Sequence, residues 1–134
     1  MKGQCFTLQK ALPLMNDGGS IVLTVGIGTR RGLPWRHGGA ATRGALLAML
    51  PSLALQLAPR RIRVNAVSPG PPTPRCSTSW GPESGRDAMR SKIPFERLGS
   101  SQEVAEAVAF LASATAGYIT GQDITVADGY GLGA

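Results

Sequence analysis

Side chains able to do chemistry are few, and they gather around one stretch, RHGGAATRGALLAML at residues 36–50. His37, the one histidine of the chain, lies in a glycine-flanked segment and has a side chain suited to acid–base work near neutral pH. Arg43 follows Gly39 by four residues, one helical turn, and offers a permanent positive charge with several donors but no proton to lose. Thr24 and Thr42 bring hydroxyls near the same stretch. Elsewhere the chemistry thins out. Cys5 and Cys76 make no metal or redox spacing, which leaves no expected metal site and points to a reduced, cytoplasmic setting. Arg30, Arg31 and Arg36 surround Trp35, and Arg60, Arg61 and Arg63 form a second group; together they carry much of the formal charge of +6. Basic clusters with an aromatic can bind nucleic acid, but they are more often a solvated face, and Arg63 falls within an expected strand. Nucleic acid is therefore not the expected partner.

The elements that must position these residues can be read from spacing. Cys5, Leu8, Leu12 and Met15 form one stripe, predicting a helix over 2–15 that Pro13 ends or kinks in its last turn. NDGGS at 16–20 is turn chemistry. SIVLTV at 20–25 is nearly all apolar, the pattern of a strand covered on both faces. After a Gly- and Arg-rich loop over about 26–38, Leu46, Leu50, Leu53 and Leu57 predict a helix over about 40–57, with a kink at Pro51. Residues 61–67 alternate as a strand. SPGPPTP at 68–74 is expected to be loop, its four prolines forbidding a ladder. One short helix is expected near 84–92. Ser100 and Glu103 make a capping box, and Val104, Val108 and Leu111 mark the helix behind it. QDITVAD at 122–128 is the last strand. No apolar run reaches the length of a membrane span, and the N-terminus lacks the continuous apolar stretch of a signal peptide.

Strands alternating with helices predict parallel βαβ units with right-handed crossovers. With 134 residues the chain makes one domain: an α/β fold with about three parallel strands and flanking helices.

GGSIV (18–22), GAATRGAL (39–46), LALQLAPRRIRVNAVSPG (53–70), IPFERLGSSQEVAEAVAFLAS (93–113) and YITGQDITVADG (118–129) together resemble the C-terminal half of the short-chain dehydrogenase/reductase family, in the family's own order and spacing. The resemblance implies a truncated Rossmann-like scaffold and NAD or NADP as cofactor. It also implies that residues 1–134 correspond to the second half of such a domain, without the Gly-rich turn and first strands that bind the dinucleotide. The family's reaction uses a Tyr as general acid/base, a Lys four residues later and a Ser about thirteen residues earlier. Position by position, the Tyr falls on Gly39, the Lys on Arg43 and the Ser on Gly26. Glycine offers no side-chain donor, so Gly26 and Gly39 cannot serve. Arg43 could still touch a ribose hydroxyl, and His37 is the one neighbouring acid/base substitute. Pro69, Gly70 and Thr73 resemble the family's Pro-Gly loop against the nicotinamide, although Thr73 comes one residue earlier than the usual pattern and Pro72 removes an N–H. Asp128 and Gly129 resemble the start of the family's terminal Asp-Gly-Gly, with Tyr130 in place of the second glycine.

These residues lead to a catalytically impaired relative of the oxidoreductases. It would act by association, as a homo-oligomer through the helices at 2–15 and 40–57 or with a partner chain. The competing expectation is an NAD(P)-dependent oxidoreductase whose site is completed by another chain or by non-standard residues. The polar, Gly-rich stretch at 75–92 names no substrate.

Overall fold

The computed structural model describes residues 2–32, 36–71 and 83–132. Its seven main elements are α1 (Lys2–Ala11), β1 (Ser20–Thr24), α2 (His37–Leu57), β2 (Arg63–Pro69), α3 (Glu83–Arg90), α4 (Ser101–Ala112) and β3 (Asp123–Val126). The strands form one parallel sheet in the order β1-β2-β3, with Ser20 opposite Arg63 and Ala66 opposite Asp123 at the first pairs. This is a shortened Rossmann-like α/β arrangement.

Alternation along the strands sends side chains to two covered faces. Ile21, Leu23, Val25, Val64 and Ala66 pack against Leu46, Leu50, Ala54 and Leu57 of α2, and the stripe Cys5, Leu8, Leu12 and Met15 of α1 closes the far side. On the other face Val22, Val67 and Val126 meet Val104, Val108 and Leu111 of α4. Residues 37–60 are long and apolar enough to cross a bilayer, with mean hydropathy 1.2. Four buried leucine and alanine side chains of that helix face the sheet, so part of its apolarity serves this core.

Proline placement departs from the sequence reading in one place, at the end of β2. α2 runs through Pro51, which lies inside the helix as the sequence reading has it, with Leu50 and Ala54 buried on either side of an exposed Pro51. Ser68 and Pro69, expected to be loop, are the last two residues of β2, and Pro69 pairs with Val126. The ladder explains why. Val25 N–H donates to Val67 O at 2.9 Å, so the backbone groups of 67 and 69 face β1, where the strand is ending. The β3 side runs through Ala66 N–H to Gln122 O and Gly70 N–H to Val126 O, and neither needs a donor from Pro69. Pro13 acts as expected: α1 gives way to a 3₁₀ turn over Leu12–Leu14.

The second arginine group is structural. Arg60 donates to Asp17 Oδ1 at 2.8 Å, to Leu12 O at 2.9 Å and to Met15 O, closing the end of the first helical segment. Arg63 reaches from β2 to the C-terminal end of α4, donating to Leu111 O at 2.7 Å and Ser113 O at 2.9 Å. Both satisfy carbonyls that a helix end leaves without an internal partner. Of the first group, Arg30 pairs with Asp123 at 2.9 Å and Arg31 lies 5.5 Å from the centre of the Tyr130 ring, while Trp35 lies outside the described residues.

Candidate functional site

The positions singled out in the sequence come together at the C-terminal ends of β1 and β2. Gly26 follows β1 with φ 149° and ψ 153°, a backbone conformation that side-chain-bearing residues rarely adopt. A Cβ placed on it would lie 3.9 Å from Pro69 O and 4.0 Å from Arg43 Cδ. Gly39 sits in the first turn of α2, and a Cβ there would lie 3.9 Å from Arg43 Nη1. Thirteen residues of sequence thus fold back so that both glycines aim at one arginine side chain.

Among the described residues, the atoms nearest the two glycines are Pro69 O and the Arg43 side chain, with no hydroxyl or amine beside them. Arg43 is exposed and has no ion-pair partner among the described residues. Thr42 Oγ1 donates back to Gly39 O at 3.1 Å, a local helix bond. His37 is the first residue of α2 rather than part of a preceding loop, and its side chain is exposed. The α2 start has no acidic residue in its first turn and no side-chain cap from Arg36. With Arg36, His37 and Arg43 nearby, this end of the fold is electropositive.

Gly70 has a packing reason to be glycine. A Cβ on it would meet Ala127 Cβ at 2.6 Å and Ala127 Cα at 2.9 Å, and its N–H is already bonded to Val126 O at 2.9 Å. Gly70 therefore lets β2 and β3 come into close contact, and Pro69 O lies on the side of Gly26. Thr73 lies outside the described residues. At the end of β3, the two consecutive left-handed residues are Asp128 (φ 47°) and Gly129 (φ 81°).

A second polar corner was only half read from sequence. The capping box is present: Ser100 N–H donates to Glu103 Oε2 at 2.7 Å, and Glu103 N–H donates to Ser100 Oγ at 3.2 Å. Arg97 joins it, its Nη2 lying 2.7 Å from both Glu103 Oε1 and Asp128 Oδ2. Arg97, followed by the Ser100 N–H and hydroxyl, holds the Glu103 carboxyl down at about 2. The sequence signal that could have found this link is the arginine three residues ahead of a helix cap.

Similar proteins sharpen the picture. The family model described as Enoyl-(Acyl carrier protein) reductase matches residues 1–131. The 3-oxoacyl-[acyl-carrier-protein] reductase FabG of Thermotoga maritima is 38% identical over 132 residues, covering 96% of this chain and 53% of that protein. Glucose and ribitol dehydrogenase of Daucus carota is 37% identical over 118 residues, covering 87% and 40%. The angucycline C-6 ketoreductase LanV, solved with bound NADP, superposes with a TM-score of 0.92 at 32% identity, covering 98% of this chain and 51% of that one. This chain spans about half the length of the curated relatives it matches. Sequence, fold and the convergence of positions 26, 39 and 43 agree: the chain belongs to the short-chain dehydrogenase/reductase family.

Proposed function

We propose that residues 1–134 form a catalytically impaired short-chain dehydrogenase/reductase module, corresponding to the second half of the family's domain, that acts through association with itself or with another chain. The observation that carries this reading is the content of the converging positions: Gly26, Gly39 and Arg43. Reducing a carbonyl takes a hydride to carbon and a proton to oxygen. Here the nearest side chain, the Arg43 guanidinium, keeps its proton at any working pH, and the two positions facing it have no side chain.

The family's cofactor is NAD or NADP. Measured against these residues the fit is poor: Arg43 can donate to a ribose hydroxyl, but the Gly70 N–H is engaged with Val126 O and the space beside Gly70 is filled by Ala127. The described residues do not by themselves amount to a nicotinamide site. Association is supported by the sheet. Backbone groups of Ser20, Val22 and Thr24 face away from β2, no described strand pairs with them, and β1 carries no charge or proline to protect that edge. Phe6 and Leu14 on the α1 side and Leu55 on α2 are exposed as well.

The test combines a thermal melt with an assay of the purified chain. Millimolar NADH and NADPH leave the melting midpoint in place and are not oxidised in the presence of aldehydes or ketones, while sedimentation gives a mass above that of one chain. Turnover by the chain alone, or a midpoint raised by either nucleotide, would overturn the reading, because a ligand of the folded state stabilises it by RT ln(1 + [L]/Kd). The triple variant Gly26→Ser, Arg43→Lys, Gly39→Tyr is expected to stay inactive, since a serine at 26 must also adopt the positive φ found there.

A further inference from the structure

A cavity of about 270 Å³ opens beside the Pro69-Gly70 turn. It is lined by residues at the ends of β2 and β3, by the start of α4 and by the segment leading into it; β1 and α2 contribute none. Its body is apolar, made by Pro69, Pro71, Ile93, Val104, Val126 and Ala127. Three charged groups stand at one side of it, and they do not balance. Among the described residues that line it, two carboxylates, Glu103 and Asp128, face a single guanidinium, Arg97.

The carboxylates differ in how they are satisfied. Glu103 takes Arg97 on one oxygen and the Ser100 N–H and hydroxyl on the other. Asp128 Oδ2 is buried and accepts no hydrogen bond: Arg97 Nη2 approaches to 2.7 Å but without the alignment of a bond. An oxygen of this kind, removed from water and ion-paired without an aligned hydrogen bond, favours a ligand that brings a well-aligned donor. Asp128 is also held in a left-handed conformation that few residues other than glycine, asparagine and aspartate adopt readily, which fixes where its carboxylate stands.

The geometry points to a binding site for a small apolar amine. Its hydrocarbon or ring body fills the cavity, and its ammonium supplies an aligned donor to Asp128 and neutralises the second carboxylate. The size lies at the small end of ligand pockets, enough for a single ring or a short branched chain. The apolar lining explains why a bare cation would be a poor occupant, and the charge set why an acid would be. This inference does not rest on the loss of catalysis at positions 26, 39 and 43, because the two sites share only the Pro69-Gly70 turn.

The experiment uses three probes of one shape, benzylamine, benzyl alcohol and benzoate, titrated into the full chain and followed through backbone amide shifts. Benzylamine is expected to bind in the millimolar range, moving the amides of Gly99, Val104, Ala127 and Gly129, with benzyl alcohol about tenfold weaker and benzoate weaker still. Asp128→Asn, which retains the left-handed preference and so the fold, is expected to bring benzylamine down to the level of the alcohol. Val104→Phe, which fills the cavity from α4, removes the response to both, and its thermal melt verifies that the chain still folds. Benzoate binding as tightly as benzylamine, shifts that map elsewhere, no response to benzylamine, or an unchanged benzylamine affinity in Asp128→Asn would each overturn the assignment.

Discussion

Two corners of this sheet carry its polar chemistry, and they are built in opposite ways. Where β1 ends, Gly26 and Gly39 face an exposed Arg43 that holds on to nothing in the described chain. Where β3 ends, Arg97, Ser100, Glu103 and Asp128 interlock across three segments, and at the other end of the sheet Asn65 ties β2 to the approach of β3. The side chains that hold backbone in position have stayed, and those that would touch a reacting molecule are bare. A family fold can keep its internal polar hooks without its active site because the hooks answer to folding stability alone.

The largest expected effect follows from that division. Asn65 is fully buried; its Nδ2 donates to Ile119 O at 2.8 Å and its Oδ1 accepts from Gln122 N–H at 3.0 Å. Asn65→Leu leaves Ile119 O and the Gln122 N–H without their partner, at about 1–3 kcal/mol each, so urea unfolding should show a loss of roughly 2–6 kcal/mol. A loss below about 1 kcal/mol would break the comparison, since the retained hooks would then not be what holds the sheet.

Two glycines sharpen it next. Gly70→Ala forces a Cβ to within 2.6 Å of Ala127 and is expected to destabilise by about 1–3 kcal/mol. Gly39→Ala meets nothing closer than 3.9 Å and lies in a helix, where alanine is the better former, so it is expected to stabilise by up to about 1 kcal/mol. Opposite signs in paired thermal melts mean that one glycine is required by packing and the other is simply an absent side chain. Equal signs would put the two corners on the same footing.

Much of this was legible in the sequence, and the exceptions have physical causes. Stripes of apolar residues announced α1, α2 and α4, and Ser100 with Glu103 announced a helix start, because these signals are local and periodic. Which side of a ladder Pro69 turns its missing donor toward depends on where β1 stops, which no window around Pro69 contains. The roles of Arg60 and Arg63 were hidden for the same reason: each serves carbonyls more than forty residues away in sequence. The need for glycine at 70 comes from Ala127, a neighbour only in space. Positions 26, 39 and 43 were placed by resemblance to a family pattern; spacing by itself says nothing of their meeting.

A smaller effect concerns acid. Arg97 first, then Ser100, lowers the Glu103 carboxyl from its ordinary 4.5 to about 2. A carboxyl depressed in the folded chain contributes stability that is fully present above its unfolded value and is lost as pH falls toward the folded one. Between pH about 4.5 and about 2 the melting midpoint of the natural chain should therefore fall more steeply than that of Glu103→Gln, which keeps the capping geometry without the charge. The two curves should converge near the acid end. Parallel curves would mean that the Arg97 pair is screened at the surface and that the interlocked corner rests on its cap alone.

The smallest effect is the one most particular to the bare corner. Arg43 is exposed, pairs with no described carboxylate and sits on a helix whose buried side is carried by Leu46, Leu50, Ala54 and Leu57. Arg43→Ala removes a charge that nothing balances and adds the best helix former, so stability should change by no more than about 0.5 kcal/mol in either direction. Asp128→Ala at the other corner takes away the second carboxylate on Arg97 and places alanine in a left-handed conformation, and it should lose more. If Arg43→Ala instead lowers the melting midpoint as much as Asp128→Ala, the guanidinium is engaged in the folded protein in solution. The corner that looks vacated would then be held by a contact beyond this chain, and the same variant should weaken whatever association the chain makes.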